Sequence, residues 1–565
     1  MVKKNLSIIA VIIVSIIAVL DLSNYGIPPT HDGEYHVIRF QQFYKVLSEG
    51  VLYPRWSPDF NNGFGIPLFN YVYPLPNYMA AIFHALGFGF IDSFKLNMAT
   101  ATIAGAIFMY LWAKKYWGDL GGIVSSVFYT FSPYHFLDIY VRGSVGEVWS
   151  LGLAPGLFWS YLNFLETRKR FFLILSGIFL ALLVLAHNIL ALVFFGFFVI
   201  YAAFLISNGF RKIGKVGDVR DLGLIVFTGL GLAAPFWLPA LLETKSVQGL
   251  QIFNPIEHFP KLYQLVYSSW GYGFSGIDPA NGVNRAGQMS FQIGIANLIA
   301  FMGSIVVLFL SRNKKILLFF IVLFLATVFL ITPFSIILWK NIPIMAYIQF
   351  PWRLLSAVVL ITAFLAGALV HAALYKKKKK LQIVIFIALI FSPIALSIGY
   401  AKAPFYHKRN DIHYLTRSNF KDGTNSPGNS FNTRWLMGAP KKRKDKIEVL
   451  SGSPKIKITE FKSISYSFTI DSKENSKLLI NTAYFPGWAA EINEKRTNIS
   501  ENEGRMVLAL PSGTNKIRVF LDNTPIQKLS YIYFLASTLI LVLYPGVKLI
   551  HPPGGLRRHV DFSGA

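Results

Sequence analysis

Stretches of about 20 mostly apolar residues recur along nearly the whole chain, and they limit the fold more than any other feature. A helix needs roughly 20 such residues to cross a bilayer. Of the 565 residues, 53% are hydrophobic, which favours a polytopic membrane protein over a soluble one. Twelve stretches fit membrane-spanning helices: 6–22, 95–113, 120–136, 147–165, 171–186, 188–206, 221–239, 291–310, 316–331, 351–374, 381–399 and 531–548.

Lysine and arginine in the short connections predict the orientation, because basic residues are retained on the cytoplasmic side of a membrane. Every second connection is basic: KK (3–4), KK (114–115), RKR (168–170), RKIGK (211–215), SRNKK (311–315), KKKKK (376–380) and RR (557–558). We therefore predict a multi-pass protein of the plasma membrane with both termini cytoplasmic. Residues 77–91 are interpreted as a helix on the outer membrane surface, since a span there would invert all later loops.

The polar stretch before the last predicted span has a different pattern. Apolar and polar residues alternate in KIKITEFKSISYSFTID (455–471) and KIRVFLDN (516–523), and a period of two is typical of β-strands. The predicted fold class is thus an all-α polytopic membrane protein with an extracytoplasmic antiparallel β-domain inserted before the last membrane helix.

Three regions are predicted along the chain. Residues 1–399 form a transmembrane domain with long outer loops at 23–94 and 240–290. Residues 400–530 form the β-domain, and residues 531–565 contain the last membrane helix and a cytoplasmic tail.

Composition excludes several classes of function. The chain has no cysteine, so disulfides, thiol chemistry and cysteine metal sites are absent. The net charge of +26 does not indicate a nucleic-acid partner, because most basic residues lie in short membrane connections or in the outer polar stretch. There they set orientation or face anionic headgroups and polymers.

The first outer loop carries two acids and two histidines directly after a membrane crossing, within PPTHDGEYHVIRF (28–40). Charged groups beside a bilayer are costly, and they usually pair, bind or react. Gly33 lets the backbone turn sharply between Asp32 and Glu34, and in an extended segment these two carboxylates share one face. We therefore predict a reaction site with Asp32 and Glu34 as the catalytic acids.

His31 and His36 flank these acids and are expected to bind substrate. No cofactor is certain; a divalent metal such as Mg or Mn, held by Asp32, Glu34 and His36, is left open because no fixed ligand spacing demands it. The alternative is a solvated loop whose acids pair with Arg39 or Arg55.

One reaction needs a single acid at the outer membrane surface: sugar transfer from a lipid-linked phosphate. The phosphate is already a good leaving group, so it needs positive charge rather than a proton. The acceptor hydroxyl needs a base, and a carboxylate serves. Glycoside hydrolysis, by contrast, normally uses a pair of carboxylates.

Other charged residues of the outer regions are candidates for substrate binding, each with a structural alternative. Arg55 and Asp59 either pair or line the site, and an ion pair between Arg142 and Glu147 would close the turn between two spans. His187 lies where two spans meet outside, at a predicted helical hairpin. Arg285 and Arg353 are candidates for binding the carrier phosphate; for Arg353 the alternative is contact with lipid headgroups.

A helix, an outer loop with an acid near its start, and six more spans before a second functional loop resemble the GT-C class of membrane glycosyltransferases. These enzymes use polyprenyl-phosphate-linked sugars. The resemblance implies that Asp32 is the base or a metal ligand, with Glu34 as the competing acid. It also implies three partners: the bilayer, a polyprenyl-phosphate sugar, and an envelope glycan, glycolipid or protein acceptor.

A narrower resemblance covers nearly the whole chain. AYFPGWAAEINEK (483–495) and LPSGTNKIRVFLDNTP (510–525) are similar to the outer β-domain of YfhO-type bacterial membrane proteins. HDGEYH (31–36), YPRWSPDFNNGFG (53–65) and FNYVYPLPNY (69–78) are similar to the related membrane family named after 6-pyruvoyl-tetrahydropterin synthase. No residue indicates pterin chemistry.

Two functions without catalysis compete with the glycosyltransferase. One is a transporter or assembly factor for lipid-linked glycans, but transporters often carry charged residues within their spans, and here the spans contain almost no acids. The other is a GT-C scaffold that binds carrier lipid without transferring sugar. Replacing Asp32 by Asn discriminates, since only an enzyme would lose transfer.

Overall fold

The structure, a computed structural model, describes residues 2–208, 215–249, 254–276, 287–311, 313–374, 379–415, 430–438 and 440–543. Most of this part of the chain is helical. The helices are α1 (Val2–Val19), α2 (Gly33–Ser48), α3 (Leu75–Ala85), α4 (Phe90–Thr130), α5 (Pro133–Phe136), α6 (Val145–Thr167), α7 (Arg170–Ala186), α8 (Asn188–Ser207), α9 (Lys215–Leu232), α10 (Ala234–Leu242), α11 (Leu262–Val266), α12 (Ile295–Leu310), α13 (Lys314–Ile331), α14 (Ile336–Asn341), α15 (Pro343–Ala346), α16 (Leu355–Leu374), α17 (Lys379–Ser397), α18 (Asp411–Leu415) and α19 (Pro525–Leu543).

Each stretch predicted to span the membrane contains a helix. Within the described residues, seven helices are long and apolar enough to cross a bilayer, or eight if α9 and α10, which bend by 75°, form one broken span. The helices α7 and α12 are apolar but shorter. Twelve spans and the cytoplasmic position of the termini stay predictions.

The long helix α4 is two helices that fold back on each other at Gly118. Gly118 has φ 71° and ψ −175°, which lie outside the helical region and favour glycine. Ser126 Oγ donates to the carbonyl oxygen of Ala106 over 2.8 Å, which a straight helix could not allow for residues 20 apart. The two predicted spans 95–113 and 120–136 therefore lie side by side.

The helices pack around one central element. Of residues Pro351–Val370, which include most of α16, 94% are buried, and α16 packs against α4, α12 and α13. Nearly all side chains of this segment are apolar or small, and Arg353 near its start is its one basic residue. That arginine belongs to the candidate site.

The predicted antiparallel β-domain is confirmed. Its strands are β1 (Ile447–Ser451), β2 (Lys455–Lys462), β3 (Ser465–Ser472), β4 (Ser476–Ala483), β5 (Trp488–Ile492), β6 (Lys495–Thr497), β7 (Ser500–Asn502), β8 (Arg505–Leu510) and β9 (Gly513–Leu521). They form two sheets with the orders β1-β4-β8-β7 and β2-β3-β9-β5-β6. Buried side chains alternate along β3, β8 and β9, and those of both sheets join in one apolar core.

The first outer loop is built into this β-domain. Trp56 is fully buried in the core of the sandwich, with its ring perpendicular to that of Trp488 at a centroid distance of 5.4 Å. The amide of Ala483 donates to the carbonyl of Phe64 over 2.8 Å. The loop and the β-domain therefore form one packed unit.

Residues 401–415 cross the first outer loop before the strands begin. Ile27 and His407 form a β-bridge, and Tyr406 OH donates to the carboxylate of Asp21 over 2.8 Å. The carboxylate of Asp411 accepts hydrogen bonds from the amides of Phe90 and Ile91, and thereby caps the N-terminus of α4. This segment thus fixes the loop against the membrane helices.

Candidate functional site

Asp32 is fixed beside the turn that precedes α6. Its amide donates to the carbonyl of Arg142 over 2.9 Å. Gly143 allows this approach, because its φ is +65° and a Cβ atom there would lie 2.2 Å from Thr30 Oγ1. Two segments far apart in the sequence are thereby joined by their backbones.

Asp32 occupies the N-cap position of α2, but its side chain does not cap the helix. An N-cap aspartate normally accepts a hydrogen bond from an amide of the first turn, worth about 1 kcal/mol. The half-buried carboxylate makes no hydrogen bond and no ion pair with any residue that the structure describes. Arg39 and Tyr73 are close enough to interact with its charge. The carboxylate is therefore left for another partner.

A buried network of charges lies next to Asp32. Residues Leu137–Arg142 form a π-helical turn, a rare geometry that recurs at functional sites. Arg142 donates to both carboxylate oxygens of Glu147 over 2.5 and 2.7 Å. Arg353 Nε donates to the same carboxylate over 3.1 Å, so Glu147 joins two guanidinium groups.

The indole of Trp352 covers the network. The Arg142 guanidinium lies 4.7 Å from its ring centroid. Arg353 Nη1 donates to the carbonyl of Ile348 and to Gln349 Oε1. The Nη2 group of Arg353 has no hydrogen-bond partner among the described residues.

Asp138 is a fourth charged residue of this network. Its Oδ1 accepts a hydrogen bond from Arg142 Nη1 over 2.5 Å, but its Oδ2 is buried without a partner in the described structure. An ionised carboxylate with one unpaired buried oxygen is expensive. Burial, with the adjacent charge of Glu147, accordingly raises the pKa of Asp138 well above its usual range. Protonated Asp138 leaves the network with one carboxylate for two guanidiniums, a net positive charge.

The buried histidines of the site are neutral. Burial lowers the pKa of His187 to about 3, although the carboxylate of Glu147 lies 3.8 Å from its Nε2. His187 Nδ1 accepts from the amide of Leu190 and so caps α8, at the predicted hairpin. Burial also lowers the pKa of His36, whose ring lies among Phe40, Phe94 and Tyr73.

Other predicted residues of the first loop have structural partners. Glu34 forms an ion pair with Arg409 and accepts a hydrogen bond from Tyr414 OH over 3.0 Å. His31 Nε2 lies 2.8 Å from the carbonyl oxygen of Tyr272, and burial lowers its pKa. Neither side chain forms a hydrogen bond or ion pair with the charged network in the described structure, although His31 is close enough to interact with the charges of Arg142 and Asp32.

Arg55 and Asp59 take different partners and line different cavities. Arg55 is buried and donates to Asn70 Oδ1 over 2.9 Å and to the carbonyl of Pro235 over 3.0 Å, beside a cavity of about 400 Å³. Asp59 accepts from Lys45 Nζ over 2.8 Å and lines a separate cavity of about 640 Å³. Arg285 lies outside the described residues.

Two of the three residues proposed to hold a divalent metal have other contacts in the structure. Glu34 is occupied by Arg409, and the ring of His36 is packed among aromatic side chains. Within the part of the chain that the structure describes, no three histidine, aspartate or glutamate side chains are placed to hold an ion. A metal at Asp32 stays a prediction.

Sequence reasoning did not select Asp138 or Tyr73 for the site, and it considered Arg39 only as a structural partner of the acids. Asp138 lies four residues before Arg142, on the same side of the π-helical turn. Arg39 and Tyr73 interact electrostatically with Asp32, and Tyr73 also with Glu147. For Asp138 and Tyr73 the only signal was their position in LDIYVRGSVGE (137–147) and in the aromatic run 71–78.

Comparison with known proteins shows the family. The family model described as the 6-pyruvoyl-tetrahydropterin synthase related domain, a membrane protein, matches residues 69–400, more than half of the chain. The chain belongs to this family. The resemblance seen in FNYVYPLPNY (69–78) is thereby confirmed, and with the apolar helices it identifies a multi-pass membrane protein.

One relative, an uncharacterised protein of Lactococcus lactis subsp. cremoris strain MG1363, is 22% identical over 246 residues. The match spans 42% of this chain and only 40% of that protein.

Three solved structures are similar at TM-scores below 0.5, which do not establish the activity of this chain. The mycobacterial arabinofuranosyltransferase AftD has a TM-score of 0.44 at 15% identity, over 70% of this chain and 27% of its own. The Archaeoglobus fulgidus oligosaccharyltransferase has 0.45 at 12%, over 76% and 59%. ArnT from Cupriavidus metallidurans, bound to undecaprenyl phosphate, has 0.42 at 13%, over 71% of both chains.

Proposed function

We propose that this chain is a glycosyltransferase of the plasma membrane that moves a sugar from a polyprenyl-phosphate donor to an envelope glycan, glycolipid or protein on the extracytoplasmic side. Both termini are cytoplasmic in this proposal, and the β-domain is outside. The observation that carries the proposal is the Asp32 carboxylate. It does not cap α2, and it lies beside a net positive network without a hydrogen-bond or ion-pair partner among the described residues.

In the proposed reaction, Asp32 accepts the proton of the acceptor hydroxyl. The hydroxyl oxygen forms a bond to the anomeric carbon of the donor sugar, and the bond between that carbon and the phosphate oxygen breaks. The electron pair leaves with the carrier phosphate, so charge develops on the leaving group and must be stabilised.

Arg142 and Arg353 supply that stabilisation in our proposal. Glu147 holds both guanidiniums in place, and the Nη2 group of Arg353 is left to donate to a phosphate oxygen. Because Asp138 is neutral, the site keeps the positive charge that attracts a phosphate. Glu34 is the weaker candidate for the base, since Arg409 and Tyr414 already bind its carboxylate.

The test compares three variants in a strain that lacks the gene, with mass spectrometry of carrier lipids and envelope glycans. We expect Asp32→Asn to accumulate carrier-linked sugar and to leave the acceptor undecorated, as the deletion does. Asp471→Asn, at an exposed position of β3, is the matched control and should restore decoration. Glu34→Gln should retain transfer.

The outcomes separate the competing functions. Full decoration by Asp32→Asn would refute catalysis by this residue and favour a transporter or assembly factor. Loss of decoration in Glu34→Gln, with Asp32→Asn active, would move the base to Glu34.

A further inference from the structure

The cavity of about 640 Å³ is a cleft between the first outer loop and the β-domain. One wall contains the end of α2 and residues 58–63, and the other contains residues 443–447 with parts of β2 and β3. Hydrogen bonds hold the walls together: Ser463, through its amide and hydroxyl, donates to the carboxylate of Glu49 over 2.8 Å in each case. The shape is therefore largely fixed before any ligand binds.

Cations outnumber acids in this cleft. The cations are Lys45, Arg443, Lys444, Lys446 and Lys462, and the acids are Glu49, Asp59 and Asp445. Lys45, Lys444 and Lys462 each have a carboxylate within 4 Å. For Arg443 and Lys446 the described structure shows none.

Lys446 is the innermost of these cations. Its ammonium donates to the carbonyls of Gly63 and Asn481 over 2.8 and 3.2 Å and lies 5.1 Å from the centroid of the Tyr466 ring. The two carbonyls accept hydrogen bonds from the ammonium and the Tyr466 ring packs against it, but none of these groups carries a negative charge that would neutralise it. When this ammonium is protonated, the cleft thus contains a positive charge that has no ion-pair partner in the described structure, within low-dielectric walls that focus its field.

The same cleft has an apolar wall. Ile456, Ile458 and Phe461 line it, and Phe461 is 41% exposed. A ligand that fills the cleft must therefore combine anionic groups with flat, weakly polar faces. Sugar rings that carry phosphate or carboxylate groups have both properties.

We propose that this cleft binds an anionic glycan, a sugar chain bearing phosphate or carboxylate groups. The inference rests on the proposed function in one respect, because it makes the cleft the place where the acceptor is held while its hydroxyl reaches the site of transfer. Binding itself does not depend on catalysis.

The experiment measures binding to the purified full-length protein by fluorescence anisotropy. The probe is labelled octagalacturonate, an anionic sugar chain, with neutral maltooctaose and an eight-unit polyphosphate as comparisons. Lys444→Glu reverses a charge inside the cleft, and Lys473→Glu reverses the charge of another exposed lysine of the β-domain that does not line the cleft.

We expect octagalacturonate to bind more tightly than either comparison. Lys444→Glu should raise its Kd about fivefold, whereas Lys473→Glu should change it little, because exposed charges interact only locally. Lys446→Gln is a second cleft variant and should also raise the Kd. Equal Kd values for the two charge reversals, or equal binding of maltooctaose, would overturn the inference. Tighter binding of polyphosphate would show an anion site that does not select sugars.

Failure of this inference is distinct from failure of the proposed function. Asp32→Asn should bind octagalacturonate as the wild type does. If it loses transfer while cleft variants bind normally, catalysis stands and the cleft assignment falls. If cleft variants lose binding while Asp32→Asn retains transfer, the reverse holds.

Discussion

The buried charge network predicts opposite responses from its two carboxylates. Glu147 is shared by two guanidiniums, whereas Asp138 accepts a single hydrogen bond and has one unpaired oxygen. We therefore expect Glu147→Gln to destabilise the protein strongly and Asp138→Asn to be nearly neutral. Both substitutions remove one carboxylate and change the volume little.

The magnitudes follow from the contacts. Glu147→Gln leaves two guanidiniums buried without their counter-ion, which costs about 3–5 kcal/mol. Asparagine at 138 keeps the oxygen that accepts from Arg142 and places an NH₂ group where the protonated carboxyl has its O–H, so the cost is about 1 kcal/mol or less. The Tm should therefore fall several times further for Glu147→Gln than for Asp138→Asn.

Tryptophan fluorescence during heating of the purified protein measures both shifts, with exposed Asp471→Asn as the control. The reasoning depends on Asp138 being protonated. If Asp138→Asn lowered the Tm as much as Glu147→Gln, Asp138 would be an ionised partner of Arg142. The network would then be neutral, and the attraction to a donor phosphate would need another source.

Two further predictions concern the β-domain and its cleft. Burial lowers the pKa of Lys446 to about 7, and the groups that face it are the Asp59 carboxylate, the Lys45 ammonium, the Tyr466 ring and the carbonyls of Gly63 and Asn481. Octagalacturonate should therefore bind about fivefold more tightly at pH 6 than at pH 8.5, since the ammonium is protonated only below about pH 7. The Kd of the Lys446→Met variant should not depend on pH in this range. If this variant kept the pH dependence of the wild type, the assignment to Lys446 would be refuted. Trp56→Ala should cost about 3–5 kcal/mol through the cavity left in the sandwich, seen as faster proteolysis of the β-domain. Trp56→Phe should cost far less, because it also removes a buried indole N–H that has no partner among the described residues; equal proteolysis of the two variants would contradict this packing argument.

The length of the apolar stretches predicted the membrane helices, and the alternation of apolar and polar residues predicted the strands. Both patterns can be read from the local sequence. They did not predict how α4 turns back, since the reversal is made by Gly118 alone, without a loop. The π-helical turn 137–142 also has no periodicity of its own, and the contacts of Arg142 at its end with Asp138 and Glu147 are not recorded in any repeat of the sequence.

The candidate site was predictable in part. The pair Arg142 and Glu147 was expected because the residues are close in sequence, but Arg353 joins them through the packing of distant helices, which no local pattern records. Glu34 seemed equivalent to Asp32 because its partner Arg409 lies in a segment assigned by composition to the β-domain. Glu34 differs from Asp32 because it has an ion-pair partner distant in the sequence, and residue type alone does not reveal this difference.

The burial of Trp56 has a consequence for biosynthesis. A ribosome releases the N-terminal loop several hundred residues before β9 (Gly513–Leu521), the strand that completes the sandwich around this indole. Until then the indole has no enclosed position, although the segment that carries Asp32 can already form its hydrogen bonds to residues 141 and 142. The core of the β-domain is therefore completed last, after nearly all of the polypeptide has been translated, and a prematurely terminated product would leave Trp56 without that core.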